Sequence, residues 1–187
     1  MLKAIGIVGS PRKSGNTEIL TAHCLKAIAE EGIKTELIRL AGLDIQGCKA
    51  CFYCFEHEGM CAIKDDMPAV RKKMLAADII IIGSPVYFGS ATALVKGLLE
   101  RAAFTSRGKY AGKVGGPIAV ARRAGQNFTF AELLLWFHIN GMVNPGGTYW
   151  NISFGWEKGD SAKDEEGMTT AWNFGKNCAT VAKKLRE

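Results

Sequence analysis

Four of the chain's six cysteines, Cys48, Cys51, Cys54 and Cys61, follow the spacing C-x2-C-x2-C-x6-C. A cubane [4Fe–4S] cluster needs four thiolates brought together by a short flexible loop, and ferredoxin-type motifs open with the same C-x2-C-x2-C run. The last gap is longer than the x3 gap of that motif. Other readings stay open at this point. Structural zinc usually takes two well-separated C-x2-C pairs, which three evenly spaced cysteines fit poorly. A redox disulfide would join Cys48 to Cys51, or Cys51 to Cys54. Four unliganded thiols are the plainest alternative. Cys24 and Cys178 fall in predicted helices and read as core or surface thiols. His57, inside the x6 gap, and His138 have no partners at ligand spacing.

A second chemical segment runs from Gly9 to Thr17, where a strand turns into a helix. Ser10, Ser14, Asn16 and Thr17 supply neutral hydrogen-bonding groups, and Arg12 and Lys13 supply charge. A helix N-terminus already presents unpaired N–H groups and partial positive charge, so the segment suits a phosphate monoester dianion. Gly15 permits close backbone approach. Asn16 and Thr17 stand where a Walker loop needs Lys and Ser/Thr. Gly6 and Gly9 lack the glycine that would complete a dinucleotide loop. A helix capped by Ser14 or Asn16 that binds nothing is the alternative.

The third segment, Gly83 to Ser90, sets Tyr87 and Phe88 among small residues just after the most apolar run of the chain. Pro85 stiffens the turn, and the other backbone groups stay free to meet a ring edge. A flat polar heterocycle needs such groups for its edge and apolar surface for its face. Otherwise the two aromatics simply sit under the next helix.

In order along the chain, Gly-Ser-Pro-Arg-Lys-Ser-Gly-Asn-Thr at 9–17, Lys-Asp-Asp-Met at 64–67 and Gly-Ser-Pro-Val-Tyr-Phe-Gly-Ser at 83–90 carry a family resemblance. The sequence resembles the flavodoxin-like NADPH-dependent FMN reductase superfamily and, within it, the iron–sulfur flavoproteins. Residues 122–127, Arg-Arg-Ala-Gly-Gln-Asn, look like that family's third flavin-facing loop. The resemblance implies an FMN phosphate held by Ser10, Arg12, Ser14, Asn16 and Thr17. It implies an isoalloxazine lined by Pro85, Val86, Tyr87, Phe88 and Gly89, with Arg122, Gly125 and Gln126 on its other side. The x6 gap also falls within the spacing of iron–sulfur flavoproteins, which implies a [4Fe–4S] cluster on Cys48, Cys51, Cys54 and Cys61.

The function so implied is an FMN-dependent oxidoreductase that passes electrons from a ferredoxin-like donor to a small oxidant such as a quinone. A cluster-free NAD(P)H-dependent FMN or quinone reductase is the first alternative. A non-catalytic electron carrier or thiol redox sensor is the second. The cofactors carry such chemistry, so no acid–base catalytic residue is nominated, and no nicotinamide fingerprint is present. The family resemblance further implies a homo-oligomer, dimer or tetramer. The aromatic stretch holding Tyr149, Trp150, Phe154 and Trp156 suits either an interface or a core cover.

These segments need a scaffold that brings loops together, and the rest of the sequence supplies one. Apolar strand-like runs alternate with amphipathic stretches, the pattern of a parallel sheet covered on both faces. Strands are predicted at Lys3–Val8, Lys34–Leu40, Asp78–Gly83, Val114–Val120 and from Val143. Helices are predicted from Asn16 or Thr17 to Glu31, from Asp65 or Asp66 to Ala76, over Ala91–Ala103 and Phe130–Ile139, and from Ser161 to Leu185. Gly167 and Gly175 should weaken the last helix, and 144–159 reads as a long loop. The economical architecture is a doubly wound, flavodoxin-like five-stranded parallel sheet of order 2-1-3-4-5. It spans residues 1–187 as one domain with a cysteine-rich insertion at about 44–64. Ligands of such sheets bind beyond the carboxyl ends of the strands, between strands one and three, where the second and third segments, Gly9–Thr17 and Gly83–Ser90, meet.

Composition excludes several classes. With 48% hydrophobic and 22% charged residues the balance is that of a soluble chain, and no apolar run approaches the ~18 residues of a membrane span. The net charge of +6 comes with no nucleic-acid motif and no basic block longer than Arg71-Lys72-Lys73. Residues 1–9 are too short and glycine-broken for an export signal, so the expected setting is a reducing cytoplasm.

Overall fold

A computed structural model describes residues 1–186. Five parallel strands, β1 (Lys3–Val8), β2 (Lys34–Arg39), β3 (Ile79–Pro85), β4 (Val114–Ala121) and β5 (Ile152–Phe154), form one sheet of order β2-β1-β3-β4-β5. The helices are α1 (Asn16–Glu30), α2 (Tyr53–Glu56), α3 (Met67–Ala76), α4 (Ala93–Thr105), α5 (Gln126–Ile139) and α6 (Glu165–Lys184). The flavodoxin-like doubly wound fold is therefore present, in the expected strand order.

Period-two alternation of β3 explains the two layers. Ile80 and Ile82 point into a core with Val95 and Leu98 of α4 and Phe137 of α5. Ile79 and Ile81 point into a second core with Leu20 of α1 and Phe174 of α6. All four isoleucines are fully buried, so neither face of this strand can be left open.

The main departures from the sequence reading have identifiable causes. Val143 makes a single bridge to Val114, and the fifth strand lies later, at Ile152–Phe154, within the stretch expected to be loop. Three residues carry too little alternation to signal a strand, and their pairing with Ala119–Ala121 decides the matter. Helix α4 starts two residues late because Thr92 accepts a hydrogen bond from Val95 N–H and caps it. Helix α5 begins at Gln126 rather than Phe130, after Gly125 in a left-handed conformation. A 3-10 turn at Asp160–Lys163 precedes α6, whose cap is Asp164.

Helix α6 runs unbroken through Gly167 and Gly175. At Gly175 a Cβ would collide with the Cys24 carbonyl of α1 and meet Ala27 Cβ at 3.0 Å, so the glycine lets the two helices touch. No helix among the described residues is long and apolar enough to cross a membrane.

Candidate functional site

Because β2 and β3 leave β1 on opposite sides, the loops after β1 and β3 part at one crevice. Gly9 N–H donates to the Gly83 carbonyl at 2.8 Å, and Thr92 Oγ1 donates to the Gly9 carbonyl at 2.9 Å, which ties the two loops together. Gly15 is the N-cap of α1 and has no side chain to cap it, so the first N–H groups of the helix lack a side-chain partner at the cap. A Cβ on Gly15 would press on the Arg12 carbonyl at 3.0 Å.

A recess of about 110 Å³ lies there. Ser10, Arg12, Asn16 and Thr17 line one side, Pro85, Val86 and Tyr87 a second, and Arg122 with Gly155 and Trp156 a third. Ser10 and Thr17 are buried, and Ser10 Oγ accepts from Arg12 N–H at 3.2 Å. Ser14 takes a left-handed backbone, φ 52°, and its N–H donates to Glu18 at 2.9 Å. Glu18 is in turn gripped by Arg39, Nε at 2.8 Å and Nη2 at 2.6 Å. The Arg39 hydrogen bond chiefly holds the Glu18 carboxyl below its ordinary value, against the upward push of burial.

The structure gives Asn16 a task that spacing did not reveal. Its Nδ2 donates to the Glu157 carbonyl at 2.8 Å, and its Oδ1 accepts from Gly159 and Ser161 N–H at 2.9 and 3.3 Å. The side chain thus straps the 155–161 loop over the recess. Trp156, assigned no cofactor role from sequence, stands between two cations, Arg12 at 5.5 Å and Arg122 at 4.9 Å from its ring. Its carbonyl also accepts from Arg12 Nη1 at 3.0 Å. No sequence signal linked residue 156 to residues 12 and 122, since only the pairing of β5 with β4 brings it here.

The aromatic loop is a tight turn: Tyr87 N–H and Ser90 N–H each donate to the other's carbonyl, at 2.9 and 3.1 Å. Phe88, with φ 53°, projects wholly into solvent, whereas Gly89 lies against Gly125, 3.4 Å from where a Cβ would sit. Gly125 and Gln126 line a neighbouring cavity of about 610 Å³ with Arg123, Phe128, Tyr149, Trp150 and Phe154. Gln126 is 5% exposed, and its Nε2 has no protein partner. The third loop is thus divided, Arg122 facing the smaller recess and Gly125 and Gln126 the larger.

The cysteine-rich segment connects β2 to α3. Its base is closed by Asp44 and Asp66: Asp44 N–H donates to the Asp66 carboxylate at 2.8 Å, and Asp66 N–H to the Asp44 carbonyl at 2.9 Å. Cys48, Cys51, Cys54 and Cys61 line one shallow recess of about 20 Å³ with Phe52, Ile63, Arg101 and Phe104. Ala50 and Phe52, either side of Cys51, both take left-handed backbones, φ 50° and 55°, which turn the chain tightly between thiols. Among the described residues no three His, Cys, Asp or Glu side chains converge on one metal-ion position. A cubane would need a separate iron at each thiolate, whereas a single zinc would need all four thiolates at one point. Gly59, φ 81°, leaves no room for a Cβ against the Thr105 carbonyl, and this contact seats the segment on the end of α4.

Residues 2–157 match the NADPH-dependent FMN reductase family. An iron-sulfur flavoprotein of Methanocaldococcus jannaschii is 42% identical over 194 residues, covering 100% of both chains. An iron-sulfur flavoprotein of Methanosarcina thermophila is 34% identical, covering 100% of this chain and 98% of its own. Among solved structures, RosB with bound 8-demethyl-8-formylriboflavin-5'-phosphate superposes with a TM-score of 0.79 at 19% identity, over 100% of this chain and 81% of that one.

Two outcomes follow from the crevice. Replacing Asn16 with Ala should speed amide hydrogen exchange at Gly159 and Ser161, which lose their shared acceptor, by about tenfold or more; unchanged protection would remove Asn16 as the strap. Glu18 has a lowered carboxyl pKa, so its contribution is present above the ordinary carboxylate range and is lost as pH falls through the folded value. Glu18→Gln should therefore cost about 1 kcal/mol at neutral pH and flatten the acid limb of the stability profile, as read by denaturant titration across pH.

Proposed function

Because the chain belongs to the NADPH-dependent FMN reductase family, and within it to the iron–sulfur flavoproteins, we propose that this flavin-dependent oxidoreductase relays electrons between a [4Fe–4S] cluster and FMN. The donor is a ferredoxin-like protein and the acceptor a small oxidant, in a cytoplasmic setting. The observation that carries the reading is one chain in which an uncapped helix start at the switch point coexists with four thiols on a single recess.

The residues present fit FMN. The α1 N-terminus, Ser10, Thr17 and the Arg12 guanidinium would hold the phosphate, and the Gly15 backbone gives the clearance this needs. Ser14 would contribute through the loop conformation that Glu18 fixes, and Asn16 through its strap on the 155–161 loop. Pro85, Val86, Tyr87 and Gly89 would offer backbone edge and apolar surface to the isoalloxazine, and Arg122, Gly125 and Gln126 would bound it opposite. Phe88 would reach it only by turning inward. When bound, FMN exchanges electrons singly or in pairs, which matches a one-electron cluster to a two-electron acceptor.

The small size of the cysteine recess favours one competitor, a cluster-free enzyme that oxidises NADPH directly. Anaerobic purification with visible and EPR spectra and an iron and acid-labile sulfide assay separates the two. The relay predicts flavin absorbance together with about four irons and four sulfides per chain. A flavin spectrum without iron or sulfide, with brisk NADPH turnover, would select the competitor.

We also propose that the protein works as a homo-oligomer. Helix α5 exposes Phe128 (74%), Leu135 (67%) and Ile139 (83%), and Tyr149 and Trp150 stand beside the larger cavity about half exposed. Such a surface is costly to leave in water. Sedimentation at micromolar concentration should give a dimer or tetramer, and a monomer would dismiss the idea.

A further inference from the structure

One buried cation holds both ends of the cysteine segment. Arg101, on α4, is 1% exposed. Its Nη1 donates to the Gln46 carbonyl at 3.1 Å and to Asp65. Its Nη2 donates to Asp65 Oδ1 at 2.9 Å, to the Ile63 carbonyl at 3.4 Å and to Cys61 Sγ at 3.3 Å. Gln46 lies two residues before Cys48 and Ile63 two residues after Cys61, so a single guanidinium clasps the segment and touches one of its sulfurs. Asp65 is equally withdrawn, its side chain 0% exposed, and also accepts from Gln46 and Met67 N–H.

Stability alone is a poor reason for this arrangement. Desolvating both ions costs several kcal/mol, and well-packed apolar groups commonly do as well. An ammonium would not serve, because three donors on a point charge cannot reach a carboxylate, two carbonyls and a sulfur in one plane. A second arginine provides the contrast. Arg71 Nη1 donates to the Gly59 and Thr105 carbonyls at 2.7 and 2.9 Å, so it fastens the middle of the same segment; none of its hydrogen bonds reaches a cysteine.

We propose that Arg101 is a positioning residue for the iron–sulfur cluster, which presents Cys61 and raises the cluster's reduction potential. The inference rests on the cluster reading above. Reduction takes one electron from the donor and adds it to a group whose thiolates already carry negative charge. A cation and an N–H donor at the sulfur stabilise the more negative state more, which favours uptake of that electron.

The test compares wild type with Arg101→Gln, Arg101→Lys and Arg71→Gln, all reconstituted anaerobically with iron and sulfide and titrated by EPR. In R101Q the oxidised-to-reduced ratio at fixed poise should rise about tenfold, equivalent to about 59 mV for a one-electron couple. R101K, which keeps the charge, should recover part of this, and R71Q should leave the potential unchanged. In the cluster-free protein, R101Q and R71Q should both be cut faster by protease within 47–62, because both lose a clasp. R101Q strands the Asp65 carboxylate, so the double variant Arg101→Gln with Asp65→Asn carries the same measurement if the single one does not fold. Loaded proteins in which R101Q matches wild type, or R71Q shifts as much as R101Q, would overturn the role of Arg101 while leaving the cluster in place. Wild type that takes up no iron or sulfide would overturn the cluster reading and this inference with it.

Discussion

The isoleucines of β3 cannot meet water on either face. A strand so placed needs neighbours along both edges to pair its N–H and C=O groups and helices above and below to cover its side chains. Parallel partners then demand crossover helices, and β1 and β4 become the flanking strands. The chain reaches β3 by first going out to β2 and back, so the loops after β1 and β3 diverge. The crevice between them is a by-product of burying four side chains.

What that crevice can hold is decided by backbone rather than by charge. The uncapped start of α1 supplies N–H groups, and a carboxylate at Glu18 would repel an anion there if left unpaired. Arg39 neutralises it while leaving it free to fix Ser14. Arg12 and Arg122 remain beside the recess, with the Trp156 ring between them, and Asn16 secures the loop that carries this ring. The result is a small recess with two cations beside it and its covering loop held in place.

The cysteine segment obeys a different economy. It buries little of its apolar surface: Cys48, Cys51, Phe52 and Tyr53 are all exposed. Hydrogen bonds from two arginines, and the Asp44–Asp66 closure at its base, do what a hydrophobic core does elsewhere. Burial pushes the Asp65 carboxyl up, yet the bonds from Arg101 and from Gln46 and Met67 N–H hold it below its ordinary range, so it stays charged opposite its partner.

The sequence by itself determined the α/β class, the specialised loops after the first and third strands and the grouping of the four cysteines. Those properties are local or periodic: β-branched runs, helical spacing, glycines at turns and short cysteine gaps each act within a few residues of chain. Only the tertiary structure decided where the fifth strand lies, because three residues signal nothing until Ala119–Ala121 pair with them. It alone placed Trp156 between Arg12 and Arg122, turned Asn16 toward residue 157, and split Gly125 and Gln126 from Arg122. It also brought Arg101 onto Cys61 across 40 positions of sequence. Hydrogen bonds and cation–aromatic contacts over such separations follow from how helices seat on the sheet, and a one-dimensional pattern holds no record of that seating.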